Sequence, residues 1–170
     1  MPQTLLLPDV DTLCERLAEQ IRPHVSPHTV IIGIHTGGVW LAERLHAGLG
    51  IAQPVGTIDI SFYRDDYSAR GLRGTPQRSA LPLSLENAHV ILVDDVLYTG
   101  RTIRAALNEI FDFGRPARVD LAVLIDRGGR ELPIAARYCA LTLSPDLPET
   151  QQLHLERTPD GILNLRLIDA

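Results

Sequence analysis

Lysine is absent from this sequence of 170 residues, and arginine supplies all sixteen of its basic side chains. The absence argues against functions that need a lysine amine, such as a receiver domain, which by analogy requires a lysine on a later strand. A P-loop is excluded because the chain has no GxxxxGK[ST] motif, and no GxGxxG motif follows a strand to indicate a dinucleotide site. Any phosphate site in this chain must therefore use other groups.

Cysteine is scarce as well, and the sequence has no long apolar run. Cys14 falls in a helical pattern and Cys139 in a strand pattern, without CxxC spacing or a His/Cys cluster, so buried thiols are favoured over a disulfide or zinc site. No segment approaches the ~20 apolar residues that span a bilayer, and the leucine run near the N-terminus lacks the basic flank of a signal peptide. We therefore predict a cytoplasmic protein with no membrane partner.

The composition is that of a soluble globular protein, with 45% hydrophobic and 22% charged residues. The net charge of -5 argues weakly against a surface that binds nucleic acid throughout, and it leaves room for local basic patches. The length is typical of one domain, so we expect residues 1–170 to fold as a single unit.

Hydrophobic periodicity predicts that strands and helices alternate. The order is typical of βαβ units, so we expect an α/β fold with a mainly parallel twisted sheet flanked by helices and a C-terminal β extension. A segment at about 64–87 lacks periodicity and is predicted to be a long flexible loop. The predicted helices are 9–22, 39–50 and 101–113, the predicted strands are 29–34, 55–63, 89–93, 118–125 and 136–143, and a hairpin is predicted over 151–169.

The segment VILVDDVLYTGRT, residues 90–102, combines an apolar strand, two adjacent acids and a turn that opens a helix. Ligands of open α/β sheets gather at the carboxyl ends of the strands, where Asp94 and Asp95 are predicted to lie. Residues 99–102 can direct backbone N–H groups and hydroxyls at an anion. A lone aspartate here is more often a helix cap, but this combination fits a ligand with a phosphate at one end and a diol or magnesium ion at the other, such as ribose 5-phosphate.

Three motifs together resemble one protein family. VILVDDVLYTGRT is similar to the signature with which type I phosphoribosyltransferases bind phosphoribosyl pyrophosphate (PRPP). Together with IDISFYRDD at 58–66 and LIDRGGRELP at 124–133, it more narrowly resembles the PyrR family, whose members are pyrimidine operon regulators and uracil phosphoribosyltransferases. The resemblance runs from about residue 5 to about residue 168 and implies the type I phosphoribosyltransferase fold.

The resemblance implies a role for each motif. The acid pair would hold the ribose hydroxyls of PRPP and its bound Mg²⁺, which is the expected cofactor. The flexible loop begins with YRDD at 63–66, and Arg64 at its hinge would swing toward the pyrophosphate. The loop at 35–38 would bind pyrophosphate, and the segment 126–132 would lie beside uracil. The residues so implied are Arg64, Asp94 and Asp95 for catalysis; Asp94, Asp95, Val96, Leu97, Tyr98, Thr99, Gly100, Arg101 and Thr102 for PRPP or UMP; Thr36, Gly37 and Gly38 for pyrophosphate; and Asp126 and Arg127 for the base.

The absence of lysine also bears on the substrate. Orotate phosphoribosyltransferases resemble one another in a catalytic loop lysine, and purine phosphoribosyltransferases in a lysine that reads the purine oxygen. Neither role can be filled in this chain, which leaves uracil as the favoured base. The implied reaction converts uracil and PRPP to UMP and pyrophosphate, with catalysis by positioning, charge stabilisation and exclusion of water.

Two motifs depart from the family pattern. The pyrophosphate loop, often Lys-Thr-Arg-Gly in the family, reads His-Thr-Gly-Gly at 35–38 and lacks both cations, so we expect weaker binding of PRPP. His35 itself suits a strand-end histidine and a site residue about equally. Gly129 replaces the histidine of the family's DRGHREL, and residues 115–137 carry five arginines against three acids, which is a modest basic patch for RNA.

Three functions therefore remain open. The first is an enzyme, uracil phosphoribosyltransferase, and the second is a UMP-sensing regulator that binds pyrimidine-operon leader RNA with weak or no catalysis. The third is a sugar-phosphate binding module without turnover. The complete acid and phosphate motif favours the enzyme, with regulation as an additional role, and the family analogy implies a homo-oligomer of two or more chains.

Overall fold

The computed structural model describes residues 5–61, 79–81 and 84–170. Within these ranges the strands are β1 (Thr29–Ile34), β2 (Gly56–Ile58), β3 (His89–Leu97), β4 (Arg118–Asp126), β5 (Tyr138–Thr142), β6 (Gln151–Arg157) and β7 (Leu163–Asp169). The first five form a parallel sheet in the order β2-β1-β3-β4-β5, and the last two form a separate antiparallel hairpin. The architecture is that of an α/β fold with a C-terminal β extension.

The helices in these ranges are α1 (Val10–Ile21), α2 (Gly37–Leu49) and α3 (Arg101–Phe113), and a 3₁₀ turn follows α1. The carboxylate of Asp9 caps α1 by accepting a hydrogen bond from the N–H of Thr12 at 2.8 Å. Gly50, with φ of +62°, ends α2 in the left-handed conformation that glycine adopts most readily. Local sequence chemistry thus determines where these helices begin and end.

The helices cover both faces of the sheet because alternate side chains of each strand point to opposite faces. Along β3, Ile91 and Val93 pack with α1 and α2, whereas Val90 and Leu92 pack with α3. All four side chains are fully buried, and each such burial contributes roughly 1.5–3 kcal/mol to folding. The continuous apolar run of β3 is therefore explained by a strand buried on both faces.

The parallel sheet, the flanking helices and the C-terminal hairpin confirm the predicted fold class. The predicted bounds were wrong by two or more residues for four elements. β5 begins at residue 138 rather than 136, where its pairing with β4 starts. β2 ends at residue 58 rather than 63, because its pairing with β1 stops where β1 itself ends. β3 continues to residue 97 rather than 93, because β4 supplies hydrogen-bonding partners that far. α2 begins at residue 37 rather than 39, since two glycines form its first turn.

The predicted flexible loop at 64–87 falls largely outside the described residues. Within the described part, Ala80 and Thr57 exchange backbone hydrogen bonds of 2.7 and 2.9 Å, which attaches this segment to β2. No helix in the described part of the chain has the length and apolar character needed to span a membrane.

Candidate active site

The site lies at the carboxyl edge of the sheet, where β3 continues past the end of β1. β1 and β3 pair only as far as Gly33 and Val93, whereas β3 and β4 remain paired up to Leu97 and Asp126. The chain leaves β1 at this point and enters α2. The remainder of β3, which begins with the two acids, therefore lies beside the start of α2 instead of beside another strand.

The adjacent acids Asp94 and Asp95 occupy this part of β3. Asp94 is only 7% exposed, and its Oδ1 accepts a hydrogen bond of 2.9 Å from the N–H of Asp95. Oδ1 of Asp95 in turn accepts a hydrogen bond of 2.8 Å from the N–H of Val96. These bonds orient both carboxylates by their own backbone, so the acid pair is preorganised before any ligand binds.

Two glycines bring the start of α2 directly against the acid pair. A Cβ on Gly37 would stand 2.5 Å from Oδ2 of Asp95, and a Cβ on Gly38 would overlap the carbonyl oxygen of Val93. Only glycine at both positions permits this approach. The first N–H groups of a helix have no partner within the helix and make this end of it positive. The close approach therefore puts the positive end of α2 beside the acids.

The segment that links β1 to α2 contains the other two residues of the predicted pyrophosphate loop. The N–H of His35 donates to the carbonyl oxygen of Ile58 at 2.9 Å, which continues the sheet by one residue. Thr36 follows a cis peptide bond and is exposed to solvent. His35 thus has the backbone role of a strand-end residue.

The predicted phosphate turn, residues 98–102, connects β3 to α3. Gly100 adopts a φ of +94°, which side chains other than glycine rarely tolerate, and it allows the chain to turn sharply into the helix. The hydroxyl of Thr99 accepts a hydrogen bond of 3.2 Å from the N–H of Arg101. The turn thus leads directly into the positive end of α3, and its binding of an anion stays a prediction.

A second segment, residues 126–132, holds the phosphate turn in place. The carbonyl oxygen of Thr99 accepts hydrogen bonds of 3.0 Å from the N–H groups of Glu131 and Leu132. Arg101 forms an ion pair of 2.8 Å with Glu131. The turn therefore depends on a neighbouring loop of the sheet for its position.

The same segment places Asp126 and Arg130 beside Tyr98. Asp126 forms an ion pair of 2.6 Å with Arg130 and accepts a hydrogen bond of 3.0 Å from the N–H of Gly128. Arg130 also donates to the carbonyl oxygen of Tyr98 at 2.5 Å. Asp126 thus lies at the carboxyl end of β4 and is paired with Arg130, and its contact with the base stays a prediction.

Arg127, the other residue predicted to contact the base, is 3% exposed. Its guanidinium lies over the ring of Tyr98, 3.8 Å from the ring centre. It donates hydrogen bonds to the carbonyl oxygens of Gln151, Pro148 and Leu147 at 2.9, 3.0 and 3.2 Å. This hydrogen bonding gives Arg127 a structural role in joining the segment 147–151 to the site, and its contact with a base stays a prediction.

The C-terminal hairpin forms one wall of an open cleft of about 670 Å³. Thr36, Gly37 and Asp95 line the cleft from the sheet edge, and Trp40 of α2 and residues 154–158 of β6 and its turn complete it. Sequence reasoning identified the hairpin but not its position beside the predicted pyrophosphate loop. No sequence signal was available for this contact, because the two segments are more than a hundred residues apart.

Most of the predicted site residues are brought together at this edge. The acid pair, residues 96–102, residues 36–38 and the pair 126–127 all lie at the carboxyl ends of β1, β3 and β4. Arg64 and the YRDD motif at 63–66 lie outside the described residues, so their predicted role in closing over pyrophosphate stays a prediction.

Comparisons with known proteins agree with this geometry. Residues 6–147 match the family model described as the phosphoribosyl transferase domain. Two proteins named Bifunctional protein PyrR are similar over most of their length. The one from Nitrosococcus oceani is 52% identical over 92% of this chain and 86% of its own, and the one from Pseudomonas paraeruginosa is 49% identical over 81% and 84%.

Solved structures show the same architecture. A purine phosphoribosyltransferase from Pyrococcus horikoshii superposes with a TM-score of 0.60 at 29% identity, covering 81% of this chain and 84% of its own. A hypoxanthine phosphoribosyltransferase from Staphylococcus aureus gives a TM-score of 0.67 at 20% identity, covering 88% and 80%. The second similarity concerns the fold alone.

Proposed function

Because the chain belongs to the phosphoribosyltransferase family, and within it to the PyrR proteins, we propose that it transfers the phosphoribosyl group of PRPP to uracil. The products are UMP and pyrophosphate. The observation that carries the proposal is the preorganised acid pair, Asp94 and Asp95, between the glycine start of α2 and the phosphate turn at 98–102. PRPP has the same order of groups, with pyrophosphate for the start of α2, ribose for the acid pair and the 5-phosphate for the phosphate turn.

The reaction breaks the bond between C1 of the ribose and the pyrophosphate oxygen, and it forms a bond from C1 to N1 of uracil, which loses its proton. Positive charge develops on the ribose while negative charge accumulates on the leaving group. Preorganised groups that stabilise both charges lower the barrier. The carboxylates of the acid pair lie where they can stabilise the ribose, and the positive end of α2 lies where it can stabilise the pyrophosphate.

We propose that Mg²⁺ enters the site together with PRPP. No group of three or more His, Cys, Asp or Glu side chains is arranged to hold a metal within residues 5–61, 79–81 and 84–170. Two adjacent carboxylates nevertheless fit this ion, because Mg²⁺ is usually held by one or two carboxylates, substrate phosphates and water. Asp94 and Asp95 are the residues that would hold it, and when bound it would neutralise negative charge on pyrophosphate.

The chain's own residues position the substrate. Residues 98–102 bind the 5-phosphate through backbone N–H groups and hydroxyls, with Gly100 allowing close approach. Thr36, Gly37 and Gly38 bind pyrophosphate through the backbone at the start of α2. The segment 126–132 encloses the space beyond Tyr98, where uracil would lie.

The test is an assay of purified protein with uracil, PRPP and Mg²⁺ that measures UMP and pyrophosphate in parallel. We expect both products in equal amounts and no product when uracil is omitted. PRPP that remains unconsumed in the presence of uracil would contradict the proposal and favour a sugar-phosphate binding module. Orotate, hypoxanthine and guanine serve as control bases, and we expect little turnover of them because the chain has no lysine.

We further propose regulation of pyrimidine genes through UMP-dependent binding of leader RNA as a second function. Its support is the similarity over most of the chain to proteins named bifunctional. The segment 115–137 supports it less, because part of its positive charge is neutralised by ion pairs within the fold. Arg118 and Arg137 form ion pairs with Asp120, at 2.9 and 3.5 Å. Arg115 is exposed and has no ion pair among the described residues.

Gly129 stands where the family often has histidine, so the RNA function needs a direct test. Its φ is +79°, and a Cβ at this position would stand 2.5 Å from the ring of Tyr98. A filter-binding titration of pyrimidine-operon leader RNA with and without UMP, at several salt concentrations, decides the matter. Regulation requires tighter binding with UMP, and phosphate contacts require a steep fall in affinity with salt. A cytoplasmic location and a homo-oligomer stay predictions.

A further inference from the structure

The predicted pyrophosphate loop has no positively charged side chain of its own, although its ligand is an anion. The loop at 35–38 contains neither lysine nor arginine, while Asp94 and Asp95 place negative charge beside it. The positive end of α2 offers only about half a unit charge. Pyrophosphate carries several negative charges, so a cation held permanently beside this loop would strengthen its binding, in addition to Mg²⁺ and the predicted contact of Arg64.

Arg157, the last residue of β6, reaches the same cleft. It lines the cleft together with Thr36, Gly37 and Asp95, and its side chain is 45% exposed. In strand β6 it shares a face with Leu153 and Leu155, which pack toward the core. The guanidinium is therefore directed to the cleft side of the hairpin and remains accessible to solvent.

Contacts with α2 hold the guanidinium near the loop. Its central carbon lies 4.9 Å from the ring centre of Trp40, which is the fourth residue of α2. The aromatic face restrains the side chain without using its N–H groups. Glu43, its ion-pair partner in the described part of the chain, is 3.9 Å away, which is a loose contact that an incoming anion can replace.

We propose that Arg157 is a cation of the pyrophosphate subsite, supplied by the C-terminal hairpin beside a loop that has no cation of its own. Arginine suits this task because its planar guanidinium can donate two hydrogen bonds to one phosphate group. Trp40 is a positioning residue that keeps the guanidinium over the cleft. The inference rests on the proposed function for the identity of the anion.

The first experiment measures the affinity for inorganic pyrophosphate with Mg²⁺ by isothermal titration calorimetry, together with KM values for PRPP and uracil. We expect Arg157→Gln to weaken pyrophosphate binding and to raise KM for PRPP about fivefold each, with KM for uracil unchanged. Glutamine keeps a long polar side chain over Trp40, which makes it less disruptive than alanine. Arg157→Lys should fall between the wild type and Arg157→Gln, because the charge remains while the paired donors are lost.

Arg16→Gln is the matched control. Arg16 belongs to α1, is exposed to solvent and does not line the cleft. Its substitution should change neither affinity nor KM by more than about twofold. Equal effects of the two substitutions, or an effect of Arg157→Gln on thermal stability alone, would overturn the proposal and assign Arg157 to the packing of the hairpin.

The outcomes separate this inference from the proposed enzyme. If the wild type turns over uracil and Arg157→Gln matches it in pyrophosphate affinity, the inference fails and the enzyme stands. If the wild type binds pyrophosphate without turnover of uracil, the enzyme fails, and the pyrophosphate titration still decides the role of Arg157.

Discussion

The guanidinium of Arg127 lies 3.8 Å from the centre of the Tyr98 ring and joins two loops of the site. On one side it packs against the residue that begins the phosphate turn. On the other it donates hydrogen bonds to backbone carbonyls of the segment 147–151, which leads into the C-terminal hairpin. The hairpin, and with it the cleft wall, therefore depends on a residue that sequence reasoning assigned to the base.

Substitution of Arg127 by methionine tests this structural role. It removes three hydrogen bonds donated by a buried guanidinium to the carbonyl oxygens of the segment 147–151, so we expect the free energy of unfolding to fall by about 3 kcal/mol. Equilibrium denaturation in urea measures the change. Arg115→Met, at an exposed position, is the control and should alter the free energy by less than about 0.5 kcal/mol. A large rise in KM for uracil at unchanged stability would instead support the predicted contact with the base.

The close approach of α2 to the acid pair predicts that alanine at Gly37 lowers activity, whereas alanine at Gly48 of the same helix does not. Gly37→Ala places a Cβ 2.5 Å from Oδ2 of Asp95, so the carboxylate must move, and we expect kcat/KM for PRPP to fall at least tenfold. Gly48→Ala meets nothing within 4 Å, and it should raise stability by about 0.5–1 kcal/mol without loss of activity. Steady-state kinetics and thermal unfolding of both variants supply the comparison. Activity retained by Gly37→Ala would contradict the proposed geometry.

The carboxylate of Asp95 is predicted to act through its charge. Asp95→Asn keeps an oxygen that can accept the 2.8 Å hydrogen bond from the N–H of Val96, so the fold should be preserved. The loss of charge beside the ribose should lower kcat about a hundredfold, in the range observed when one stabilising group is removed. Asp112→Asn, on an exposed position of α3, is the matched control for a change of net charge. Equal rates for the two variants would exclude a catalytic role for Asp95.

The cap of α1 predicts a dependence of stability on pH. The hydrogen bonds from the N–H and hydroxyl of Thr12 lower the pKa of Asp9 below its ordinary value of 3.8. Because the folded-state pKa is the lower one, the stabilisation is present above about pH 3.8 and is lost as the pH falls through the folded pKa. We expect Asp9→Ala to melt at a lower temperature than the wild type near neutral pH.

Thermal melts followed by circular dichroism between about pH 7 and pH 3 check this expectation. The difference between the wild type and Asp9→Ala should shrink as the pH is lowered. Asp9→Asn keeps a capping oxygen that does not titrate, so its advantage over Asp9→Ala should persist at low pH. A difference that is constant across this range would show that the Asp9 carboxylate does not act through its charge.

Much of the fold was accessible from sequence because its signals are local. β1 and α3 have the predicted bounds. The apolar run of β1 and the 3.6-residue periodicity of α3 are each complete within the element itself. The extent of β3 was not accessible, because the two acids interrupt its apolar run and the strand is continued past them by pairing with β4. The strand thus continues through the acids that sequence reasoning placed after its end.

The sequence by itself determined the order of strands and helices, the acid pair with its phosphate turn, and the absence of lysine that favours uracil. The first two depend on residue types and spacings that are complete within one segment, and the third is a property of the composition. Only the tertiary structure decided that Arg127 serves the hairpin and that Arg157 stands beside a loop without cations of its own. Those relationships join segments distant in the chain, and contacts between such segments are set by packing, which no local pattern encodes.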